Sequence, residues 1–306
     1  MKAAYASRKL TVRCFALISF FLTAICVAFA LGAAGPAVQP LGPHLYAYIS
    51  DNDGSANSTF LVGSSGILLV DSGLNRTEGE KLLREIRKIS PLPIAYIINT
   101  HYHPDHQGGN GVFGSEPIII SSPFTREKTI QLAARMTQGQ ASNPGFEFRP
   151  ATITIAQKLT IYVGDEPVEI IAAWPAHTMG DIYVYFPKER TVATGDLYLT
   201  DAVPAMDEGS AAHWIEDLDG ILALPADHFV PGHFGVGTKQ SIQRFRDYMA
   251  DLYAQVQQMA KAGASEEEIR KNVKEPNFSD FKQYPKYEAT FGDNAVAMFK
   301  QIRAGH

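Results

Sequence analysis

From about residue 44 the chain alternates short runs of apolar and β-branched residues with stretches in which apolar positions recur every three or four residues. The runs 44–50, 58–62 and 67–70 read as strands, with Gly63-Ser64-Ser65-Gly66 as a hairpin turn between the last two. Leu82, Leu83, Ile86 and Ile89 then fall on one face of a helix; Thr77 and Glu80 have capping-box spacing at its start, and Pro91 and Pro93 follow its end. The unbroken apolar run 94–98 has the character of a strand covered on both faces. A polar loop over 99–110 comes next. A helix over 123–136, a loop to Pro150, and strands near 151–155, 159–163, 167–173, 182–186 and 191–193 complete the middle. Late in the chain Ile242, Phe245, Tyr248, Leu252, Val256 and Met259 form one apolar stripe at helical spacing, a core-facing surface, and Ser265 with Glu268 caps a further short helix. No fixed-period repeat and no low-complexity linker interrupts this order. The pattern predicts one α/β domain over 35–262 and a helical C-terminal extension over 263–306 packed on it.

Residues 1–34 stand apart. Lys2, Arg8, Lys9 and Arg13 precede an apolar, charge-free stretch from Cys14 to Ala30, and Ala28-Phe29-Ala30 and Gly32-Ala33-Ala34 both satisfy a small-x-small cleavage rule. This is the layout of a secretory signal peptide, and it predicts an exported, periplasmic or secreted body; an uncleaved membrane anchor is the alternative, since the apolar stretch nearly reaches spanning length. Both cysteines of the chain, Cys14 and Cys26, lie in this segment, so the exported body would carry no thiolate and no disulfide. Loss of four cations shifts the net charge from −5 to −9. With 45% apolar and 19% charged residues the chain is an ordinary globular one, and without a basic cluster it offers no nucleic-acid surface. A small-molecule partner is expected, with membrane contact only through the N-terminal segment.

Five of the nine histidines lie in three short loops, each directly after a predicted strand. The densest loop reads Thr100-His101-Tyr102-His103-Pro104-Asp105-His106. Residues two apart on an extended chain point the same way, so His101 and His103 can close on one ion, while Pro104 can redirect Asp105 and His106 to a second position. His177 follows the strand ending at Ala173, Asp196 follows Thr194-Gly195, and His233 follows Pro231-Gly232. Imidazole and carboxylate without thiolate suit borderline or hard divalent ions, zinc first, with iron and manganese compatible with the same set. For His44, His213, His228 and His306 the solvated-loop reading stands, and Tyr102, Trp174 and Trp214 are either pocket walls or plain core.

The order His-x-His-x-Asp-His at 101–106, then His177, Gly195-Asp196 and His233, resembles the metallo-β-lactamase superfamily of metal-dependent hydrolases, over roughly residues 44–260. The resemblance implies a four-layered αβ/βα sandwich with two zinc ions. His101, His103 and His177 would hold the first and Asp105, His106 and His233 the second, with Asp196 bridging and Asp105 and Asp196 serving catalysis. Asp71, at the end of Ile67-Leu68-Leu69-Val70, looks like the buried aspartate that orients a ligand histidine in this family; a strand-end turn aspartate is its bland counterpart. Two zinc ions with Asp105, Asp196 and a bridging hydroxide would leave about one positive charge, favouring substrates with a carboxylate, and zinc would supply hydroxide near neutral pH. The implied activity is opening of a cyclic amide, ester or thioester, with β-lactams among the candidates. His106 and Asp196 occur together as in glyoxalase II-like members, and the stretch 197–214 lacks any Lys or Arg to clamp a carboxylate, which speaks against an efficient β-lactamase. Against glyoxalase II itself stand the export signal and a C-terminal segment without a basic glutathione-binding cluster. An iron-dependent redox enzyme is the competing class, although its oxygen-reducing members carry glutamate where His103 stands. A protein that keeps the ligands without catalysis is the third.

Overall fold

In the computed structural model residues 36–138, 145–274, 277–284 and 286–305 are described, all within one unit, Ala34–His306. The signal segment predicted over 1–34 and the terminal His306 lie outside the described residues. Among the described residues no helix is long and apolar enough to cross a membrane.

The first half builds one sheet from β1 (Ala37–Pro40), β2 (Leu45–Ile49), β3 (Ser58–Gly63), β4 (Gly66–Val70), β5 (Ile94–Ile98), β6 (Ile118–Ser121) and β7 (Ile153–Thr154), hydrogen-bonded in chain order. Pairing is antiparallel from β1 to β4 and parallel from β4 onward. Helix α1 (Arg76–Ile89) makes the β4–β5 crossover, α2 (Pro104–Gln107) is a single turn after β5, and α3 (Pro123–Thr137) follows β6. The second sheet contains β8 (Lys158–Val163), β9 (Glu166–Ala172), β10 (Ile182–Phe186), β11 (Thr191–Gly195) and β12 (His228–Pro231), in the spatial order β12-β11-β10-β9-β8. Helix α4 (Ala211–Ala223) joins β11 to its parallel neighbour β12, and α5 (Lys239–Lys261), α6 (Glu266–Asn272) and α7 (Tyr287–Ala304) end the chain.

Side-chain alternation sorts these strands into layers. Leu68 and Val70 face the second sheet, packing in one core with Val168, Ile170, Ile182, Val184 and Phe186. Their neighbours Ile67 and Leu69 point the opposite way, onto Leu82 and Ile86 of α1. On the second sheet Tyr183 and Tyr185 alternate with Ile182 and Val184, and they meet Trp214 and Leu218 of α4 and Phe245 of α5. Strands β4 and β10, buried on both faces, are therefore apolar runs without polar alternation, whereas β11, equally buried, carries Thr191 and Thr194. The result is the four-layered αβ/βα sandwich with a helical C-terminal segment. Val273, Phe281, Tyr287 and Phe299 of that segment share the core of α4 and α5.

Local signals held to different degrees. Ser265 and Glu268 form the predicted capping box. The box predicted at Thr77 and Glu80 does not form: Asn75, with extended backbone, accepts the Glu78 N–H through its side chain, so the helix starts at Arg76 and Thr77 falls inside the first turn. Strands β1 and β6 and helix α4 were not among the predicted elements, although Trp214, Leu218, Ile221 and Leu222 have helical spacing.

Candidate metal centre

The seven ligand candidates and Asp71 lie at one rim of the sandwich, where strands of both sheets end. Asp71 follows β4; the loop carrying His101, His103, Asp105 and His106 follows β5. From the second sheet, His177 sits between β9 and β10, Asp196 after β11 and His233 after β12. The rims are tied across the sheets: the Ile182 N–H donates to Thr100 O (2.9 Å), and the Asn57 N–H to Gly232 O (2.7 Å). Asn57 also donates through its side chain to Pro231 O and Phe234 O, clamping the turn that presents His233. Pro104 opens α2 as its first residue, and the helical turn puts Asp105 and His106 in a second group with His233, the His106 ring 4.0 Å from that of His101.

Two groups of ligand-type atoms result. His101, His103, His177 and Asp196 form one; Asp105, His106 and His233 form the other; the ligand atoms of each group lie within 4.8 Å of one another. Asp196 stands between them. Its Oδ2 is 3.6 Å from His177 Nε2, whereas its Oδ1 is 3.2 Å from His106 Nε2 and 3.7 Å from His233 Nε2. Asp105 Oδ2 is 3.1 Å from His233 Nε2. Glycines make this approach possible. A Cβ on Gly232 would lie 1.8 Å from Asp196 Oδ1, and one on Gly195, which has φ +53, would lie 2.6 Å from Thr100 Oγ1.

The hydrogen bonds behind the histidines determine where their lone pairs point. Asp71 is buried, and its carboxylate accepts from Thr100 N (2.9 Å) and Thr100 Oγ1 (2.7 Å) and sits 2.7 Å from His106 Nδ1. A carboxylate only accepts, so the His106 proton belongs on Nδ1 and the Nε2 lone pair faces the centre. Thr100 Oγ1, its own proton committed to Asp71, accepts from His101 Nδ1 at 3.2 Å, which turns the His101 Nε2 lone pair the same way. Both Nε2 atoms and Asp196 Oδ1 are buried with no hydrogen-bond partner. Unpaired acceptors aimed at one another in the interior repel unless a cation lies among them. The electrostatics agree. Burial, with His106 and His103 nearby, holds the His101 imidazole well below its ordinary pKa, and burial lowers His177 to about 4, so both are neutral donors. Around His106 burial opposes a charge, but Asp196, Asp105 and Asp71 outweigh it and raise the group well above its usual value: this position attracts positive charge. Burial also works against the Asp196 carboxylate, yet His106 and His233 hold its pKa well below the ordinary range. The donor set and its orphaned lone pairs fit a pair of divalent ions.

A profile of the metallo-beta-lactamase superfamily matches residues 51–233. The chain belongs to this superfamily. Its members comprise hydrolases and related enzymes, and relatives differ in the bond they break. The chain is 29% identical over 251 residues to the 2,4-dinitroanisole O-demethylase subunit alpha of Nocardioides sp. (strain JS1661), covering 78% of this chain and 69% of that protein. It is 24% identical to the linear primary-alkylsulfatase of Pseudomonas sp. (strain ATCC 19151), over 69% of this chain and 48% of that one, and 22% identical to metallo-beta-lactamase IND-1 of Chryseobacterium indologenes, over 58% and 72%. Among solved structures the fold resembles the stereoselective inverting sec-alkylsulfatase Pisa1 from Pseudomonas sp., with TM-score 0.74 and 16% identity over 87% of this chain and 50% of that one. It also resembles a metallo-beta-lactamase from Pontibacter korlensis, with TM-score 0.57 and 19% identity over 70% and 99%. The chain thus spans about half the length of the two alkylsulfatases.

Three features of the superfamily rim in this chain were not read from the sequence. Asp181 accepts from Thr178 N (2.7 Å) and Thr178 Oγ1 (2.8 Å), closing the turn after His177, and Ser122 and Thr125 pin that turn by donating to Gly180 O. Lys286 and Thr290, from the start of α7, reach the cavity above the centre. The three aromatic candidates do not line that cavity. Tyr102 donates its hydroxyl to Glu208; Trp214 is buried, donates to Leu197 O and packs its ring 5.4 Å from His177; Trp174 joins the core between the sheets. His44 and His213 are exposed and His228 half-buried, all away from the centre.

Proposed function

We propose that this chain is an exported dinuclear zinc hydrolase acting on a small, largely apolar ester, thioester, cyclic amide or related compound. The observation that carries the reading is Asp196, which offers one oxygen to each of two histidine groups, with His101 Nε2, His106 Nε2 and its own Oδ1 buried without a hydrogen-bond partner. His101, His103 and His177 would hold one ion and Asp105, His106 and His233 the other, with Asp196 shared. Zinc bound there supplies a water of pKa about 7 and polarises the bond to be cleaved.

The chain's own residues do the rest. Asp71 keeps the proton on His106 Nδ1, directly, and on His101 Nδ1 through Thr100, so that both rings present lone pairs without rearrangement. Asp105, whose Oδ2 lies beside His233 Nε2 at the floor of the cavity, is placed to pass a proton toward a leaving group once its other oxygen is engaged. Leu199, Val203 and Phe234 give the cavity apolar walls that hold a substrate body and exclude water. The relatives support a small-molecule substrate: one is named for O-demethylation of 2,4-dinitroanisole, one for linear primary alkyl sulfates and one for β-lactams.

The test is metal analysis of the purified chain together with a turnover panel of 4-nitrophenyl acetate, 4-nitrophenyl sulfate, a chromogenic cephalosporin and 2,4-dinitroanisole, each with a chelated control. Two equivalents of zinc and chelator-sensitive kcat/KM above about 10⁴ M⁻¹s⁻¹ for one class are expected. Bound iron with a visible absorption band, or zinc without any turnover across the panel, would overturn the reading.

A further inference from the structure

The cavity that opens on the His/Asp centre has a volume of about 390 Å³, and its walls come from two separate parts of the chain. Leu199, Ala202, Val203 and Ala205, on the loop after Asp196, make an apolar wall that Phe234 extends. The C-terminal segment contributes as well: Lys286 and Thr290 line the same cavity as His177, Asp196 and His233, more than fifty residues beyond the end of the superfamily match at residue 233. Lys286 is the one lysine or arginine among the lining residues, and Asp53 is the one carboxylate there besides Asp105 and Asp196.

Lys286 is held in place by its backbone while its side chain stays uncommitted. Its carbonyl accepts from Ala289 N (3.1 Å), Thr290 N (3.0 Å) and Thr290 Oγ1 (2.7 Å), and the next residue, Tyr287, is buried in the core and stacks on Phe291. The residue itself sits in the left-handed region, with φ +64, a conformation that glycine or asparagine adopts at lower cost. The side chain is exposed, and no ion pair among the described residues uses it. A cation anchored this way in a cavity that also has an apolar wall suits an amphiphile, whose apolar body meets the wall while its anionic end meets the cation. Asp53, the lining carboxylate outside the centre, disfavours an anion beside it, which leaves Lys286 as the lining side chain with which an anionic end can pair.

We propose that Lys286 is the anion-recognition residue of this cavity, and that its substrates are small amphiphiles. Their apolar body lies along Leu199 to Ala205, and a carboxylate or sulfo group pairs with the Lys286 ammonium. This rests on the hydrolase reading of the same site. It also supplies from the C-terminal segment the cation that the loop 197–214 lacks.

The test uses the zinc-loaded full chain and three probes with one apolar body: 4-phenylbutyrate, 4-phenylbutanesulfonate and the neutral 4-phenylbutyramide, with dissociation constants measured calorimetrically. Wild type is expected to bind at least one anion roughly two- to fivefold more tightly than the amide, the range of an ion pair at an exposed site. The stronger anion identifies the head group. Lys286→Gln keeps a side chain of similar length without the charge, and it should cut that margin at least twofold, leaving only what the zinc ions confer, with amide affinity within about twofold; Lys286→Arg should preserve the margin. A wild type with no preference for either anion, or a Lys286→Gln variant that keeps the margin undiminished, would overturn the proposal. Zinc content and chelator-sensitive turnover are measured on the same preparations. A retained margin with turnover intact therefore removes the role of Lys286 alone, whereas absent zinc or turnover removes the hydrolase reading.

Discussion

Asp71→Asn tests how the centre is wired with a change of one atom type. In the native arrangement Asp71 Oδ1 accepts the Thr100 N–H, and Oδ2 accepts the Thr100 hydroxyl and the His106 Nδ1–H, all at 2.7–2.9 Å in the interior. Asparagine must keep its oxygen toward the Thr100 N–H, because the other orientation sets two donors against each other. The new NH₂ then faces His106 Nδ1. Either His106 retains its Nδ1 proton against a buried donor, at a cost of about 1–3 kcal/mol, or it shifts the proton to Nε2 and loses the lone pair that faces Asp196 and Asp105. Both routes weaken the ion position formed by Asp105, His106 and His233, by roughly ten- to a hundredfold in zinc affinity. The position formed by His101, His103 and His177 should change less, because Thr100 Oγ1 can reorient and still meet His101 Nδ1. A competitive zinc titration that resolves two classes of site is the assay. Thermal unfolding of the zinc-free forms shows whether the fold itself has changed. Two zinc equivalents bound with wild-type affinity would refute the tautomer argument and leave Asp71 an ordinary strand-end turn residue.

Other expected outcomes follow from the same geometry. Asp196→Ala should lose the second zinc equivalent and reduce turnover on the order of a hundredfold or more, because its two oxygens are the ones that reach both groups among the described residues; unchanged stoichiometry and rate would remove its bridging role. Gly232→Ala would place a methyl 1.8 Å from Asp196 Oδ1, so the carboxylate has to move; zinc binding should weaken while far-ultraviolet circular dichroism stays native, and a variant with native zinc affinity would show that the rim yields more freely than its contacts imply. Burial, with Glu216 adjacent, raises Asp217 to about 7. A carboxyl whose folded pKa lies above its unfolded one favours the fold below about pH 4, and that contribution is lost as pH rises through 7. Asp217→Asn should therefore match wild type near pH 4 and exceed its melting temperature by roughly 2–4 °C at pH 8, after allowance for solvent screening; equal melting temperatures at pH 8 would count against it.

The sequence by itself marked the buried strands and the reactive loops, while the layered arrangement came with the family resemblance that those loops carry. A strand covered on both faces is mostly apolar, and ligand-type side chains set close together in one loop can meet at one ion, so the run 94–98 and the cluster 101–106 are legible locally. Local composition misled where two signals competed in one turn: Asn75 and Thr77 both carry cap chemistry, and the backbone conformation chose Asn75. Tertiary structure alone decided how the parts meet. His101 and His177 are 76 positions apart and become neighbours, their ring centroids 5.0 Å apart, because two sheets pack face to face and end at one rim. That Asp196 divides its oxygens between two histidine groups, and that Asp71 reaches one histidine directly and another through a threonine hydroxyl, are matters of a few tenths of an ångström. Lys286 carries no motif and follows the last site histidine by about fifty residues; it enters the cavity because Tyr287 and Phe281 bury their rings in the helical layer beside it. Spacing along a chain encodes what neighbours in sequence can do together. Contacts between distant segments follow from close packing of the whole core, which no short stretch of residues specifies.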